Sequence, residues 1–203
     1  MELLYHARDD LMLRLIREQS VLTPDHELIF ELEAVLEFIV EFFDDTITSL
    51  KHLPADCIDF LNTWTLFKPG CLVYGTDGLE QERVYQLRSR AERTQSNDGS
   101  RWWALELRYV DFDGIYHGYR DGEGHIAAFR GITAISALPL VPLQFHPDRE
   151  AIERRLSVRA PRILRLHGRR IQEYSGHALQ ETGEGMRKFN VRTFHTIHRS
   201  LFI

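Results

Sequence analysis

Residues 64–75, Trp64-Thr65-Leu66-Phe67-Lys68-Pro69-Gly70-Cys71-Leu72-Val73-Tyr74-Gly75, divide the chain into two kinds of sequence. An aromatic-rich segment stops at Pro69-Gly70, because proline disfavours helix at the residue before it and glycine supplies the turn. It resumes as a β-type run. Trp64 and Phe67, three apart on one face of a short helix, would lie beside Leu72 or Val73 and Tyr74 as these enter a sheet. These residues are expected to form the joint between a helical and a β part. An exposed Trp64 would instead be a recognition anchor.

Upstream, apolar residues recur at helical spacing among acids. Leu4, Leu11, Leu13, Leu15 and Ile16 predict a helix over 2–19. Thr23-Pro24 reads as an N-cap followed by proline at the first helical position, with Asp25 and Glu27 in the first turn, where the helix dipole favours acids. The helix predicted from there to about 50 carries Leu28, Leu32, Val35, Leu36, Ile39, Val40 and Phe43 as its apolar stripe. A partner-binding face is the alternative use of such a stripe, and core packing is the commoner one. Pro54-Ala55-Asp56 reads as the start of a further short helix through Ile58, Leu61, Trp64 and Leu66-Phe67.

Downstream the period becomes two. Segments 71–75, 83–94 and 102–112 read as strands, the last two joined across Ser96-Asn97-Asp98-Gly99-Ser100 as a hairpin. Asp113-Gly114 and Asp121-Gly122-Glu123-Gly124 read as turns punctuating strands 115–120 and 125–130. Pro139 and Pro142 make 132–146 an edge strand or an extended crossing segment. Pro147-Asp148 opens a helix to about 158, and β-type pieces follow at 170–180 and 188–202. The fold class expected is α+β: N-terminal helices followed by a mostly antiparallel, curved sheet with a short additional helix. Its organisation is read as a helical region, 1–60, and a β-rich accessory domain, 61–203, forming one compact unit.

Charge is graded along the chain. Residues 1–60 hold 14 acids and 4 bases, 61–147 hold 10 and 9, and 148–203 hold 6 and 12. Such polarity lets the ends pair within or between molecules, and the basic quarter is a weak footprint for nucleic acid. Only Lys51, Lys68 and Lys188 among 25 bases are lysine, a bias toward the planar pairing and stacking of arginine. Cys57 and Cys71 have no metal-ligand or disulfide-framework spacing. The first residues lack signal- or transit-peptide character, and no apolar run reaches a membrane span. A soluble, intracellular, cytoplasmic protein is expected.

The chemistry-bearing residues are few. No GxxxxGK[ST] phosphate loop and no GxSxG elbow occur. Gly122-x-Gly124-x-x-Ala127 superficially matches a dinucleotide fingerprint, but it lies between β-type runs, so a hairpin is expected there. Asp111, Asp113, Asp121 and Glu123 offer a candidate cation site or acid/base pair, weighed against ordinary turn chemistry. His195-x-x-His198, with His167 and His177, invites a metal reading, which strand alternation disfavours. Trp102-Trp103 with Tyr109, Phe112, Tyr116 and Tyr119, interleaved by Arg101, Arg108 and Arg120, forms an aromatic and arginine set fit for sheet packing, for a protein interface or for base stacking. Alternation assigns one of Trp102 and Trp103 to the core and leaves the other semi-exposed. No cofactor or metal is expected.

Four blocks in order carry a resemblance: 64–75 (WTLFKPGCLVYG), 103–118 with Val110-Asp111-Phe112-Asp113-Gly114, 126–146 (IAAFRGITAISALPLVPLQFH), and 156–178 with Leu166-His167-Gly168 and Tyr174-Ser175-Gly176-His177-Ala178. Across roughly 60–191 the chain resembles a domain of unknown function that precedes the AAA+ ATPase module in large proteins of filamentous fungi. The resemblance implies a non-catalytic N-terminal accessory domain for protein recognition or regulation, with a protein partner or the AAA+ module itself as its contact. It transfers no catalytic residue. Arg159-Ala160-Pro161 stands where relatives tend to have Arg-Gly, and 192–198 do not continue the family's strand, which suggests a truncated product, a fragment or a stand-alone descendant. The alternative function is a small enzyme or cation-binding domain using the strand-end carboxylates, with nucleic-acid binding behind it.

Overall fold

The computed structural model describes residues 1–77, 80–112, 116–164, 171–182 and 185–196. They form N-terminal helices, a mostly antiparallel sheet that is not closed, and a later helix, as the sequence predicts. The chain divides by contacts into two units, Met1–Pro69 with Ala128–Ala134, and Gly70–Ala127 with Ile135–Ile203. The first division falls inside the Pro69-Gly70 break, nine residues beyond the boundary read from composition.

In the helical unit, α1 (Glu2–Gln19) packs on α2 (His26–Phe42) through Leu15, Leu32 and Leu36, with Leu11, Leu28 and Ile29 around them. The N-cap of α2 is Asp25, not Thr23. Its Oδ1 accepts from the backbone N–H of Glu27 and Leu28, which a carboxylate at the positive helix end does better than a hydroxyl. The predicted long helix is two: α3 (Asp44–Lys51) follows after Phe43, whose φ of −107° and ψ of 19° break the helical path. Ile39 and Phe43 are buried.

The short helix expected from 54 is largely replaced by strand β1 (Cys57–Asp59) and a 3-10 turn, Thr63–Leu66. Asp59 is the cause. Its Oδ1 accepts from the Asn62 N–H, its Oδ2 from the Asn62 side chain, and its carbonyl from the Thr63 hydroxyl, an arrangement that favours a tight turn over a helix.

In the sheet unit Gly70, at φ 85°, donates its N–H to the Leu87 carbonyl and starts the ladder. Strands β2 (Leu72–Thr76), β3 (Glu82–Thr94), β4 (Arg101–Phe112) and β5 (His117–Ala127) pair as neighbours. Back in the helical unit, β6 (Ile132–Ala134) pairs with β1. In the sheet unit, β7 (Leu140–Pro142) closes the order β5-β4-β3-β2-β7 as an edge strand, where Pro142 costs no inner ladder bond. Asp121-Gly122-Glu123-Gly124 is not a turn, since β5 runs through it unbroken. Its glycines serve close packing instead: a Cβ on Gly124 would collide with Leu140 and Leu107, and one on Gly75 would lie 2.6 Å from Leu140. Leu140 therefore touches both β2 and, from the opposite edge, β5, so the sheet curls strongly.

Helix α4 (Arg149–Leu164) buries Ile152 and continues past the expected end at 158, through Pro161. Strands β8 (Ile171–Thr182) and β9 (Gly185–Thr196) pair as an antiparallel hairpin, β8 one residue later at its start and two at its end than the piece read at 170–180, and β9 starting three residues before the piece read at 188–202.

Candidate functional site

Strand alternation sorts the sheet into two faces. One carries Val73, Leu87, Trp103, Leu105, Leu107 and Ile126, all buried. The other carries charge. There Arg108 stands opposite Asp121 and Glu106 opposite Glu123. The irregularity between Leu87 and Ser89 inserts Arg88 as an extra residue on β3. Arg88 Nη1 and Arg108 Nε then lie 3.3 and 3.1 Å from the Asp121 carboxylate. These guanidiniums, Arg108 first, hold the Asp121 carboxyl below the usual carboxylate range. The Ser89 hydroxyl donates to Glu106 Oε2 at 2.6 Å, and His125 Nε2 lies 3.0 Å from Glu123. Arg88, Arg93, Glu106, Asp121 and Glu123 line a concavity of about 610 Å³.

Of the described candidate carboxylates, Asp121 and Glu123 line it and Asp111 does not. Asp111 pairs with Gly118, three rungs from Asp121 and on the other face by alternation, with Arg120 Nη1 at 3.3 Å. Asp113 lies outside the described residues, as do His167 and His198. Among the described residues no group of three His, Cys, Asp or Glu is placed to hold a metal ion. Each described acid of the four has a cationic or imidazole neighbour, which suits a mutually neutralised surface. As alternation requires, Trp103 is buried in the core while Trp102 is half-buried with its ring edge-on to His125 at 6.3 Å.

A second cluster joins α4 to the sheet. Arg155 Nε donates to Glu82 Oε2 at 3.0 Å and its Nη2 to Oε1, Tyr74 donates to Oε1 at 3.1 Å, and Arg159 Nη2 donates to the Glu82 carbonyl at 2.6 Å. The bond from Arg155 holds the Glu82 carboxyl down. Burial, then the bond to Glu82, pushes the Tyr74 phenol up. Both shifts leave the groups in their ordinary neutral-pH states, which fits a clamp rather than proton transfer.

In the helical unit Trp64 is half-buried, with ring centroids of Tyr5, Phe43 and His6 at 4.9, 5.8 and 6.0 Å, and Phe67 is fully buried. Sequence reasoning missed the most exposed aromatics of this unit. Phe30, Phe38 and Phe42 on α2 are 72, 42 and 55% exposed, and the last two stack at 5.7 Å. At 3.6 residues per turn they share a face with Glu27, Glu31, Ala34, Val35 and Glu41, turned away from buried Leu32, Leu36 and Ile39. The signal was present: α2 has apolar residues on two sides, and one core can cover only one of them.

A DUF7025 domain of unknown function spans residues 47–147, by match to its family model. The match takes in three of the four blocks that carried the resemblance; the block at 156–178 lies beyond it. Comparison with curated proteins and with solved structures gives no match. No helix among the described residues is long and apolar enough to cross a membrane.

Proposed function

We propose that the chain is a non-catalytic accessory domain for protein recognition or regulation, related to the region N-terminal to the AAA+ module of filamentous-fungal proteins. The observation that carries this reading is the exposed stacked pair Phe38 and Phe42 on a well-capped helix; in the sheet unit, Asp77, Glu82, Glu92, Glu106, Asp111, Asp121 and Glu123 are each held by arginine, histidine, serine or tyrosine. Aromatic side chains held rigid at the surface are what protein interfaces use as anchors. Large apolar groups left in water on a monomer mark an interaction site.

Two measurements test it. Calorimetry with Mg-ATP should give no binding heat, and micromolar affinity overturns the non-catalytic reading. Proximity labelling in cells should yield a set of neighbouring proteins that changes when Phe38 and Phe42 are both replaced by Asp. An unchanged set, with the helical circular dichroism retained, overturns the recognition reading.

A further inference from the structure

We infer that the exposed face of α2 receives a basic amphipathic helix. The inference rests on the recognition reading above and names the chemistry of the partner. The face presents Phe30, Ala34, Phe38 and Phe42 at successive spacings of four, a ridge along the helix that fits the groove between apolar side chains of a second helix. Val35 widens it, and Glu27, Glu31 and Glu41 are exposed on the same side.

Charge selects among occupants. Helix α2 has five glutamates and no lysine or arginine. A second copy of α2 would set glutamate against glutamate in either orientation, and like charges in close juxtaposition are destabilising. An anionic lipid surface is repelled for the same reason. A helix with Leu, Ile or Phe at i, i+3 or i+4 and i+7, flanked by Arg or Lys, buries the phenylalanines and answers the carboxylates at the rim. Rim charges steer encounter and choose the partner, while the aromatic ridge supplies the affinity.

The test is a displayed library of 18-residue helical peptides with a fixed apolar stripe and randomised flanks, selected on the full chain and counter-selected on Phe38→Asp/Phe42→Asp. Enrichment of Arg and Lys over Asp and Glu in the flanks is expected. The best peptides should lose at least tenfold in affinity against the double variant, and several-fold between 50 and 500 mM salt. Neutral or acidic flanks, equal binding to the variant, or no enrichment overturns the inference. So does sedimentation showing a dimer that the double variant abolishes, since the occupant is then a second copy. Acidic or neutral flanks together with Phe38-dependent labelling sink the partner chemistry and leave recognition standing. Loss of Phe38 dependence in both experiments sinks both.

Discussion

On α2, Phe30, Phe38 and Phe42 stand in solvent among glutamates, whereas on the sheet Arg88, Arg108 and Arg120 each hold a carboxylate within 3.3 Å. The two regions leave different things unanswered. The helical unit exposes apolar area on α2; the sheet unit buries its apolar residues and sets arginines against carboxylates. Burying a phenylalanine is worth roughly 1.5–3 kcal/mol, while an exposed ion pair contributes about 0–1 kcal/mol. Apolar area still open to burial therefore lies on α2, while the charges of β3–β5 answer one another.

The largest test of this contrast is inside the helical unit, where aromatic packing must carry stability if the exposed aromatics are there for something else. Trp64→Ala removes the ring touching Tyr5, His6 and Phe43 and should cost about 3 kcal/mol, read as a lower urea midpoint. An unmoved midpoint with lost partner labelling would make Trp64 a recognition anchor. In the sheet unit Gly124→Ala should cost about 1–3 kcal/mol because the new methyl meets Leu140 and Leu107. Gly118, on the same strand with no described atom within 4 Å of its missing Cβ, is the control, and its change to Ala should be neutral within about 0.5 kcal/mol. Equal effects at the two positions would refute the curl.

The Glu82 clamp gives a smaller effect with a sign. Its carboxyl is more acidic folded than unfolded, so its contribution is present above the unfolded carboxylate pKa and fades as pH falls through the lower, folded value. Glu82→Gln should flatten the acid limb of stability against pH, and an unchanged limb would show that Arg155 is not held by charge. At the bottom of the scale, Phe38→Ser with Phe42→Ser should leave the melting midpoint within about 2 °C, since these rings are outside the core. A large fall would return them to the structure and remove them from function.

Periodicity made most elements legible: the alternation in 83–94 and 102–112 and the Asp98-Gly99 turn specify the central hairpin without tertiary information. What failed was local punctuation whose meaning is tertiary. Gly122 and Gly124 look like a turn to any reader of dipeptides, but they are where Tyr109 and Leu140 lie against a strand. Asp59 looks like a helix residue and instead folds the chain on itself through three hydrogen bonds. The helix read as ending near 158 runs on with Pro161 inside α4. The carboxylates were visible, but their partners were not, because Arg88 reaches Asp121 only through a bulge. The α2 phenylalanines went unread because the buried stripe was sufficient to explain the helix.

The reach of Leu140 to both Gly75 and Gly124 ties together three positions far apart in sequence. Side-chain bulk at 75, 124 and 140 is thus one shared quantity: an added methyl at either glycine position calls for a smaller residue at 140. In homologues those three columns should vary together. Solvent exchange should also treat the two ends of the sheet as one door, with β7 and the last third of β5 losing protection in a single opening event that Leu140→Ala would make frequent.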